Sequence, residues 1–417
     1  MLDLLLLCPE VPRPAASGRE ARLWRVLRHV AGRYRVHLGC FADEALDRRT
    51  EGLLRQFCHS SYFARPRPAV SRPGRLALLA GRWEPPAARH AGLQAWVERI
   101  WAERRPARAL AMGTSLGHYA LIRPDIPARR IVDHHDLVHG EDAARWLLPP
   151  GMLPPIRRWL LALEARALVL AGGAGAPAWH AHLIASSAVA ERLRDAVPDQ
   201  GHRIHHFPDG IDGNWFSPDQ GLQNPLPRGG PTLLFAGGVR TRNGVEAAAW
   251  FAREVLPRLR AARPETRLVI PGEEAVAGLA ALVTVPGVVF TGPSVDRRAL
   301  LLHADVVVAP HREAERGGLL EAMAMARPTV ATAAAAAELG THAGHELWLA
   351  EDAEAFAKAV DIALDPRVGP PTGRAARIRV QADLSWEAVL ERFDRLVEGQ
   401  PSPRQPVVWP ITSRSGS

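Results

Sequence analysis

The sequence predicts an α/β protein built from two Rossmann-like domains, each with a parallel sheet. Its 417 residues are enough for two domains with sizeable cores. Short apolar runs that end in turn residues and lead into amphipathic helices recur along the chain, which is typical of βαβ units. Residues 219–231, rich in Pro, Gly, Gln and Asn, read as a linker between the two halves.

In the first half, residues 2–7 predict the first strand and residues 19–33 the first helix, because Leu23, Val26, Leu27 and Val30 follow helical spacing. Ser187 is predicted to cap a helix that begins at residue 188. Residues 65–92, rich in Arg, Pro and Ala, indicate a loose excursion. The other predicted strands are 36–41, 109–112, 131–133 and 183–186, and the other predicted helix is 155–171.

The second half opens with a strand at 232–236, followed by Gly237, Gly238 and a helix at 245–262. A strand that runs into a glycine turn and then a helix is a common cradle for phosphate. Strands at 267–271 and 288–290 continue the alternation, and helices are predicted at 353–364 and 385–397.

The most informative stretch is 305–332. Its apolar residues 306–309 predict a buried strand, and a helix follows that Pro328 must stop. Gly317 and Gly318 permit close backbone approach, and the free N–H groups at the helix start suit a phosphate. Glu313 and Glu321 place two carboxylates beside that helix start, and carboxylates accept hydrogen bonds from sugar hydroxyls. The alternative is an ordinary βαβ unit whose surface glutamates are spaced by eight.

Three segments carry a resemblance to a known family. The Glu313-x7-Glu321 pair, with Leu-Leu-Glu-Ala-Met-Ala and Pro-Thr-Val after it, resembles the donor site of retaining GT-B glycosyltransferases of the family 4 type. Residues 203–218 are similar to the Val-Pro-Asn-Gly-Val-Asp segment of these enzymes, with Asp209 where asparagine is usual. Residues 18–39 resemble the opening of the sugar transferases associated with exopolysaccharide and exosortase (PEP-CTERM) systems.

The resemblance implies a GT-B fold: an acceptor-side domain at 1–218, a nucleotide-sugar-binding domain at 232–384, and an interdomain cleft. It also implies a last helix at 385–398 that packs back on the first domain. The Pro- and Ser-rich composition after that helix predicts a disordered tail at 399–417. Glu321 would hold the ribose and Glu313, a catalytic candidate, the transferred sugar. Related enzymes use an arginine and a lysine where this chain has Gly238 and Asn243, so Arg240 or Arg242 would replace them, although surface arginines are the plainer interpretation. The implied donor-binding set is Gly18, Gly237, Gly238, Arg240, Arg242, Asn243, Gly272, Thr291, Gly317, Gly318, Leu319, Leu320 and Glu321.

A cluster of titratable residues ends the strand at 131–133. Asp133, His135 and Asp136 are further catalytic candidates, because this strand end lines the cleft in related transferases. With His134 and His139 the cluster could instead bind a metal, but a strand turns alternate residues to opposite faces, and buried or capping roles are commoner. We expect no metal and no cofactor, since no Asp-x-Asp motif follows a strand.

The basic charge is concentrated in the first half. Residues 1–200 contain 29 arginines and 19 acidic residues, a balance of +10, whereas the remaining residues have a balance of −2. Lys358 is the one lysine, so genome composition and a solvated face also explain the arginines. The basic half suits an anionic membrane surface or a phosphorylated acceptor. Nucleic acid is not an expected partner, because the arginines are scattered and no binding motif accompanies them.

Three cysteines without metal spacing indicate a reducing cytoplasm. The apolar start carries Asp3 and reads as a strand rather than a signal peptide, and no run of 18 apolar residues predicts a membrane span. The expected protein is cytoplasmic, in contact with the inner face of the plasma membrane, with a nucleotide sugar and a glycan or lipid-linked acceptor as partners. The alternatives are a GT-B-fold sugar-nucleotide epimerase and a degenerate, non-catalytic sugar-binding subunit.

Overall fold

A computed structural model describes residues 1–14, 18–42, 48–65, 90–135, 179–227, 229–239, 241–272, 279–292, 294–313 and 315–400. These residues form two compact units. Among the described residues, the first unit contains the chain up to Asp209 and residues 390–400, and the second unit contains Gly210–Val389.

The first unit is built on a seven-stranded sheet in which every pairing is parallel, in the order β3-β2-β1-β4-β5-β6-β7. Leu4–Leu7 in the central strand are fully buried, as expected for a sheet covered on both faces. The strands are β1 Leu2–Cys8, β2 Tyr34–Phe41, β3 Cys58–Ala64, β4 Arg108–Ala111, β5 Arg129–Asp133, β6 Ala181–Ile184 and β7 Ile204–His206.

Five described helices belong to this unit: α1 Gly18–Ala31, α2 Arg48–Phe57, α3 Ala91–Arg104, α4 Gly117–Ala120 and α5 Ser187–Ala196. The predicted cap of α5 is wrong by one residue. Ser186 is the extended residue before the helix, and its hydroxyl accepts a hydrogen bond from the N–H of Val189. Most of the predicted excursion at 65–92 and the whole predicted helix at 155–171 lie outside the described residues.

The second unit has a six-stranded parallel sheet in the order β10-β9-β8-β11-β12-β13. The order reverses between β8 and β11, so the loops that follow these two strands diverge to opposite faces and leave a crevice at the carboxyl ends. The strands are β8 Thr232–Phe235, β9 Arg267–Ile270, β10 Val288–Phe290, β11 Val306–Ala309, β12 Thr329–Ala331 and β13 Trp348–Leu349.

The helix predicted at 245–262 begins earlier, at Arg242, and contains a π turn. It runs as α6 Arg242–Trp250, a π turn at Phe251–Val255, and α7 Leu256–Ala262. Pro257 comes two residues after the π turn. It lacks an N–H, and its ring would clash with a carbonyl one turn earlier, which the wider turn relieves. The remaining described helices are α8 Arg297–His303, α9 Arg316–Ala324, α10 Ala333–Ala336, α11 Ala353–Ala363, α12 Gly369–Arg379 and α13 Trp386–Glu398.

The change of unit comes at Asp209, ahead of the predicted linker, because Ile211, Phe216 and Leu226 are buried in the core of the second unit. The later part of α13 packs in the first unit: the Phe393 ring stacks on Phe207, and Asp394 accepts a hydrogen bond from His29 at 2.7 Å. No helix in the described ranges is both long and apolar enough to cross a membrane.

Candidate active site

Two of the predicted glycine turns meet at the switch point of the second sheet. Gly237, which follows β8, has φ of +84°, a conformation that favours glycine. Gly318 lies in the first turn of α9, and a Cβ added there would be 2.4 Å from the backbone nitrogen of Gly237. The sequence segments at 237 and 317–320 therefore form one cradle, which we call the glycine cradle, defined by Gly237 and Gly318.

A carboxylate that the sequence analysis did not single out lies in the glycine cradle. Glu315 precedes α9, and its Oε1 accepts a hydrogen bond from the N–H of Gly318 at 3.1 Å. A Cβ added to Gly237 would be 2.7 Å from Glu315 Oε2, so the carboxylate lies directly against that glycine. The start of α9 and its dipole thus face a negative charge supplied by the chain itself.

Glu321 lies on α9 and forms an ion pair with Arg297 at the start of α8. Burial raises the pKa of Glu321, although Arg297 opposes that shift. Arg297 Nη2 would be 3.0 Å from a Cβ added to Gly318, which places this guanidinium beside the glycine cradle. Arg297 was missed by the sequence analysis because its position depends on a contact with a distant helix.

The loop after β8 and the start of α6 carry the two arginines that were predicted to bind the donor, Arg240 and Arg242. Arg242 is 92% exposed and bonds to Glu246 one turn along α6 at 2.7 Å, while Arg240 lies outside the described residues. Asn243 Oδ1 accepts a hydrogen bond from the N–H of Arg312 at 3.3 Å, which ties this loop to the segment after β11. A Cβ on Gly238 would meet no described atom within 4 Å, so ligand can approach it.

Between β11 and the start of α9 lie Glu313, which is exposed, and His311, which is 1% exposed. Neither ring nitrogen of His311 has a hydrogen-bond partner among the described residues. Its Nε2 is 4.0 Å from Glu315 Oε2, and its ring tilts against Phe235 at 5.0 Å. Burial lowers the pKa of His311, and Glu315 opposes that shift.

The ends of β9 and β10 are joined by one antiparallel bridge. The N–H of Gly292 donates to the carbonyl of Gly272 at 3.0 Å, and Gly272 has φ of +120°. The Thr291 hydroxyl donates to the carbonyl of Gly292 at 3.2 Å. Gly272 also lies near Val239 of the turn after β8, since an added Cβ would be 3.5 Å from its side chain. These backbone groups therefore border the same end of the sheet as the glycine cradle.

In the first unit, Asp133 takes part in a buried ion-pair network at the end of β5. Arg22 of α1 donates from Nε to Asp133 at 2.7 Å, and from Nη1 to Asp209 at 2.8 Å. Its Nη2 donates to the carbonyl of Phe207 at 2.9 Å, and the guanidinium lies 4.3 Å from that ring. Arg22 and Asp133 are each 1% exposed. Asp209 therefore supplies a second negative charge to a buried arginine, which an asparagine could not.

The histidines of this strand end are divided between two environments. Burial lowers the pKa of His135, and Arg22 adds to that effect. His134 faces the other way, bonding to Thr114 at 2.9 Å and to His182 at 3.0 Å. Asp136 and His139 lie outside the described residues, and Gly18 is the first residue of α1. Within the described ranges no three His, Cys, Asp or Glu side chains are grouped to hold a metal ion.

Comparisons with known proteins agree with this architecture. Residues 230–365 match the family model described as "Glycosyl transferases group 1". A glycosyltransferase from Rickettsia africae ESF-5 has a similar structure, with a TM-score of 0.62, 14% identity, and 95% of this chain and 98% of that chain covered. The fold is GT-B.

Two further GT-B structures are similar over nearly the whole chain. Sucrose-phosphate synthase from Thermosynechococcus elongatus has a TM-score of 0.61 and 17% identity, with 96% and 99% of the two chains covered. Anabaena Alr3699/HepE, solved in complex with UDP, has a TM-score of 0.60 and 15% identity, with 95% and 100% covered. No curated protein matches the sequence. The GT-B fold confirms the predicted pair of Rossmann-like domains with parallel sheets.

Proposed function

We propose that the protein is a glycosyltransferase that moves a sugar, with retention, from a nucleotide-sugar donor to a glycan or lipid-linked acceptor. The observation that carries this proposal is the glycine cradle at the switch point, which lies inside the segment matching glycosyl transferases group 1. In open α/β sheets, ligands bind in the crevice at such a switch point. Anabaena HepE, which shares the fold, has been solved with UDP-glucose.

The donor diphosphate would bind to backbone N–H groups of the glycine cradle and the first turn of α9. Arg297, which lies beside the glycine cradle, would add positive charge in place of Arg242, which bonds to Glu246 at the surface. Glu321 would accept hydrogen bonds from the ribose, and Glu313, exposed in the preceding loop, from the transferred sugar. Gly272 and Thr291 would border the base with backbone atoms.

Transfer requires that negative charge on the leaving diphosphate be stabilised as the glycosidic bond breaks. The helix start and Arg297 would supply that stabilisation without a divalent metal, since no Asp-x-Asp motif follows a strand. We therefore propose that transfer continues in excess EDTA. Loss of transfer in EDTA with recovery on adding Mn²⁺ would contradict metal independence and leave the glycosyltransferase proposal in place.

Two features of the sequence support a proposal about the acceptor. Residues 18–39 resemble the exopolysaccharide-associated transferases, and the first 200 residues carry a balance of +10. We therefore propose a role in cell-surface polysaccharide synthesis at the inner face of the plasma membrane, where each basic side chain near the anionic surface contributes about 1 kcal/mol. Co-sedimentation with anionic liposomes at low salt, lost at high salt, is the expected result. A protein that ignores such vesicles at low salt would favour a soluble acceptor.

A donor screen tests the proposal as a whole. The protein is melted with a panel of UDP-, GDP-, ADP- and dTDP-sugars, and each donor that raises the melting temperature is incubated with candidate acceptors. A glycoside product with the donor's anomeric configuration is the expected outcome. Release of a free or epimerised sugar would identify an epimerase instead. Donor binding without any product would identify a non-catalytic sugar-binding subunit.

A further inference from the structure

The carboxylate of Glu315 lies where the proposed donor would place phosphate. Glu315 bonds to the N–H of Gly318 at 3.1 Å and lies against Gly237, so it contacts both members of the glycine cradle. The N–H groups of a helix start are a general site for anions, and here an acidic side chain fills that site. A phosphate and this carboxylate cannot both occupy the space between the two glycines.

A second, independent feature points into the same space. His311 is 1% exposed, and neither of its ring nitrogens has a hydrogen-bond partner among the described residues. Buried polar groups are almost always hydrogen-bonded, so this imidazole is available to a polar group that enters the same space. Its Nε2 is 4.0 Å from Glu315 Oε2, which is too long for a hydrogen bond but places the nitrogen beside the carboxylate that fills the glycine cradle.

We propose that Glu315 is an internal competitor for the donor diphosphate, and that His311 binds the phosphate once the Glu315 carboxylate has left the glycine cradle. This inference rests on the proposed function and adds two residues to its donor site. Glu315 is 23% exposed, so its side chain has solvent into which it can swing. Donor affinity would then be the intrinsic affinity reduced by the fraction of molecules whose cradle is occupied by Glu315.

The test compares nucleoside diphosphate affinity across variants by calorimetry, with UDP, GDP, ADP and inorganic pyrophosphate as probes. Glu315→Ser keeps a capping hydroxyl at the start of α9 but removes the charge. Glu315→Gln keeps the length of the side chain and removes its charge, and it replaces the serine variant in the test if that variant is unstable. Asp352→Ser is the matched control, because Asp352 caps α11 in the same unit through the N–H of Ala355. His311→Gln removes the imidazole.

We expect Glu315→Ser to bind diphosphate about fivefold to tenfold more tightly than the wild type. Asp352→Ser should leave the affinity unchanged, and His311→Gln should weaken it. The affinities of the variants for pyrophosphate should follow the same order, because Glu315 competes with the phosphate groups and not with the base. Melting curves without ligand check that each variant is folded.

Unchanged or weaker binding by both Glu315 variants, alongside a wild type that binds diphosphate, would overturn the inference and leave the proposed function intact. An unchanged affinity in His311→Gln would remove His311 from the site. If the wild type and every variant bind no diphosphate, and no nucleotide sugar is consumed, the proposed function fails together with the inference. Binding by the Glu315 variants alone would support the competition but contradict the proposed function of the wild type, since the wild-type cradle would then be fully blocked.

Discussion

At the residue scale, the first unit depends on a buried ion pair between Arg22 and Asp133. Arg22 and Asp133 are each 1% exposed, and Asp133 Oδ1 has no hydrogen-bond partner among the described residues. A carboxylate in that setting is tolerated because Arg22 neutralises it. We infer that Asp133 holds α1 and the end of β7 in place through Arg22, and that a catalytic role for it remains a prediction.

Removal of the Arg22 charge should therefore destabilise the protein strongly. We expect Arg22→Met to lower the free energy of unfolding by about 3–5 kcal/mol, because it leaves Asp133 buried and unpaired. Urea unfolding measures the change. Arg242→Met is the control: its ion pair with Glu246 is at the surface, where such pairs contribute about 0–1 kcal/mol. Equal effects of the two substitutions would contradict this interpretation of Asp133.

The two glutamates of the donor site should separate binding from transfer. Glu321→Ala removes the carboxylate that would accept hydrogen bonds from the ribose, so we expect nucleoside diphosphate binding to weaken by about 1.5–3 kcal/mol. Glu313→Ala should leave that binding unchanged and slow sugar transfer. Calorimetry and a transfer assay on both variants decide the matter, and equal losses of nucleotide affinity would contradict the division of roles.

The sequence could predict the residues whose role is set by local turn chemistry. Gly237, Gly318 and Glu321 follow from strand–glycine–helix patterns within a few residues. It could not predict Glu315 or Arg297, because what they contact is decided by segments that are distant in the chain. Glu315 caps α9 through the N–H of Gly318, but glutamate is not among the residues that favour the cap position, so the sequence carries no signal for it.

At the scale of elements, strands buried on both faces were predicted and the polar edge strand β3 was missed. β1 reads as an unbroken apolar run, and its bounds differ from the prediction by one residue. β3 has the sequence Cys-His-Ser-Ser-Tyr-Phe-Ala, is mostly half-buried, and pairs with β2 at the edge of the sheet formed by the described strands. Its polar residues hide the pattern on which strand prediction depends. The helices α2 and α3 that flank β3 were missed with it.

The start of α9 should tolerate a methyl group at one glycine and reject it at the next. A Cβ on Gly318 would be 2.4 Å from the Gly237 nitrogen, which is backbone and cannot rotate away. A Cβ on Gly317 would meet only Glu315 Oε1, at 3.9 Å. We expect Gly318→Ala to reduce diphosphate affinity at least tenfold and Gly317→Ala to change it less than twofold.

Melting temperatures and calorimetry on the pair check this prediction, since both variants add one methyl group to the same helical turn. If Gly318→Ala retains full affinity while folded, the two glycines are not in the contact described.

At the scale of the whole molecule, buried histidines should make the protein sensitive to acid. Burial lowers the pKa of His134 to about 4, of His182 to about 3 and of His205 to about 4. In the unfolded chain these groups titrate near 6.5, so between that pH and about 4 the unfolded state binds more protons. Stability is therefore complete above about pH 6.5 and is lost as the pH falls towards 4.

We expect the free energy of unfolding to fall between pH 7 and pH 5 by on the order of 2 kcal/mol for each such histidine. Urea unfolding across that range measures it. His182→Asn should flatten the pH dependence, whereas His345→Asn, at an exposed position, should not. A wild type that is equally stable at pH 5 and pH 7 would contradict the assignment of neutral histidines.

The two-domain architecture was predictable from the sequence because it depends on repeated strand–turn–helix units and on chain length. The position of the unit boundary was not, since Ile211 and Phe216 belong to the core of the second unit although they precede the Pro- and Gly-rich segment. Composition marks where a chain has loops, and burial decides which unit a segment joins.

The central claim is that the donor binds in the second unit, between the turn after β8 and the start of α9. Hydrogen–deuterium exchange of the full chain, with and without the nucleoside diphosphate selected by the donor screen, tests it most directly. We expect slower exchange in peptides covering 235–239 and 315–321, where backbone N–H groups would bond to phosphate. Diphosphate binding that slows exchange elsewhere and leaves both of these peptides unchanged would contradict the claim.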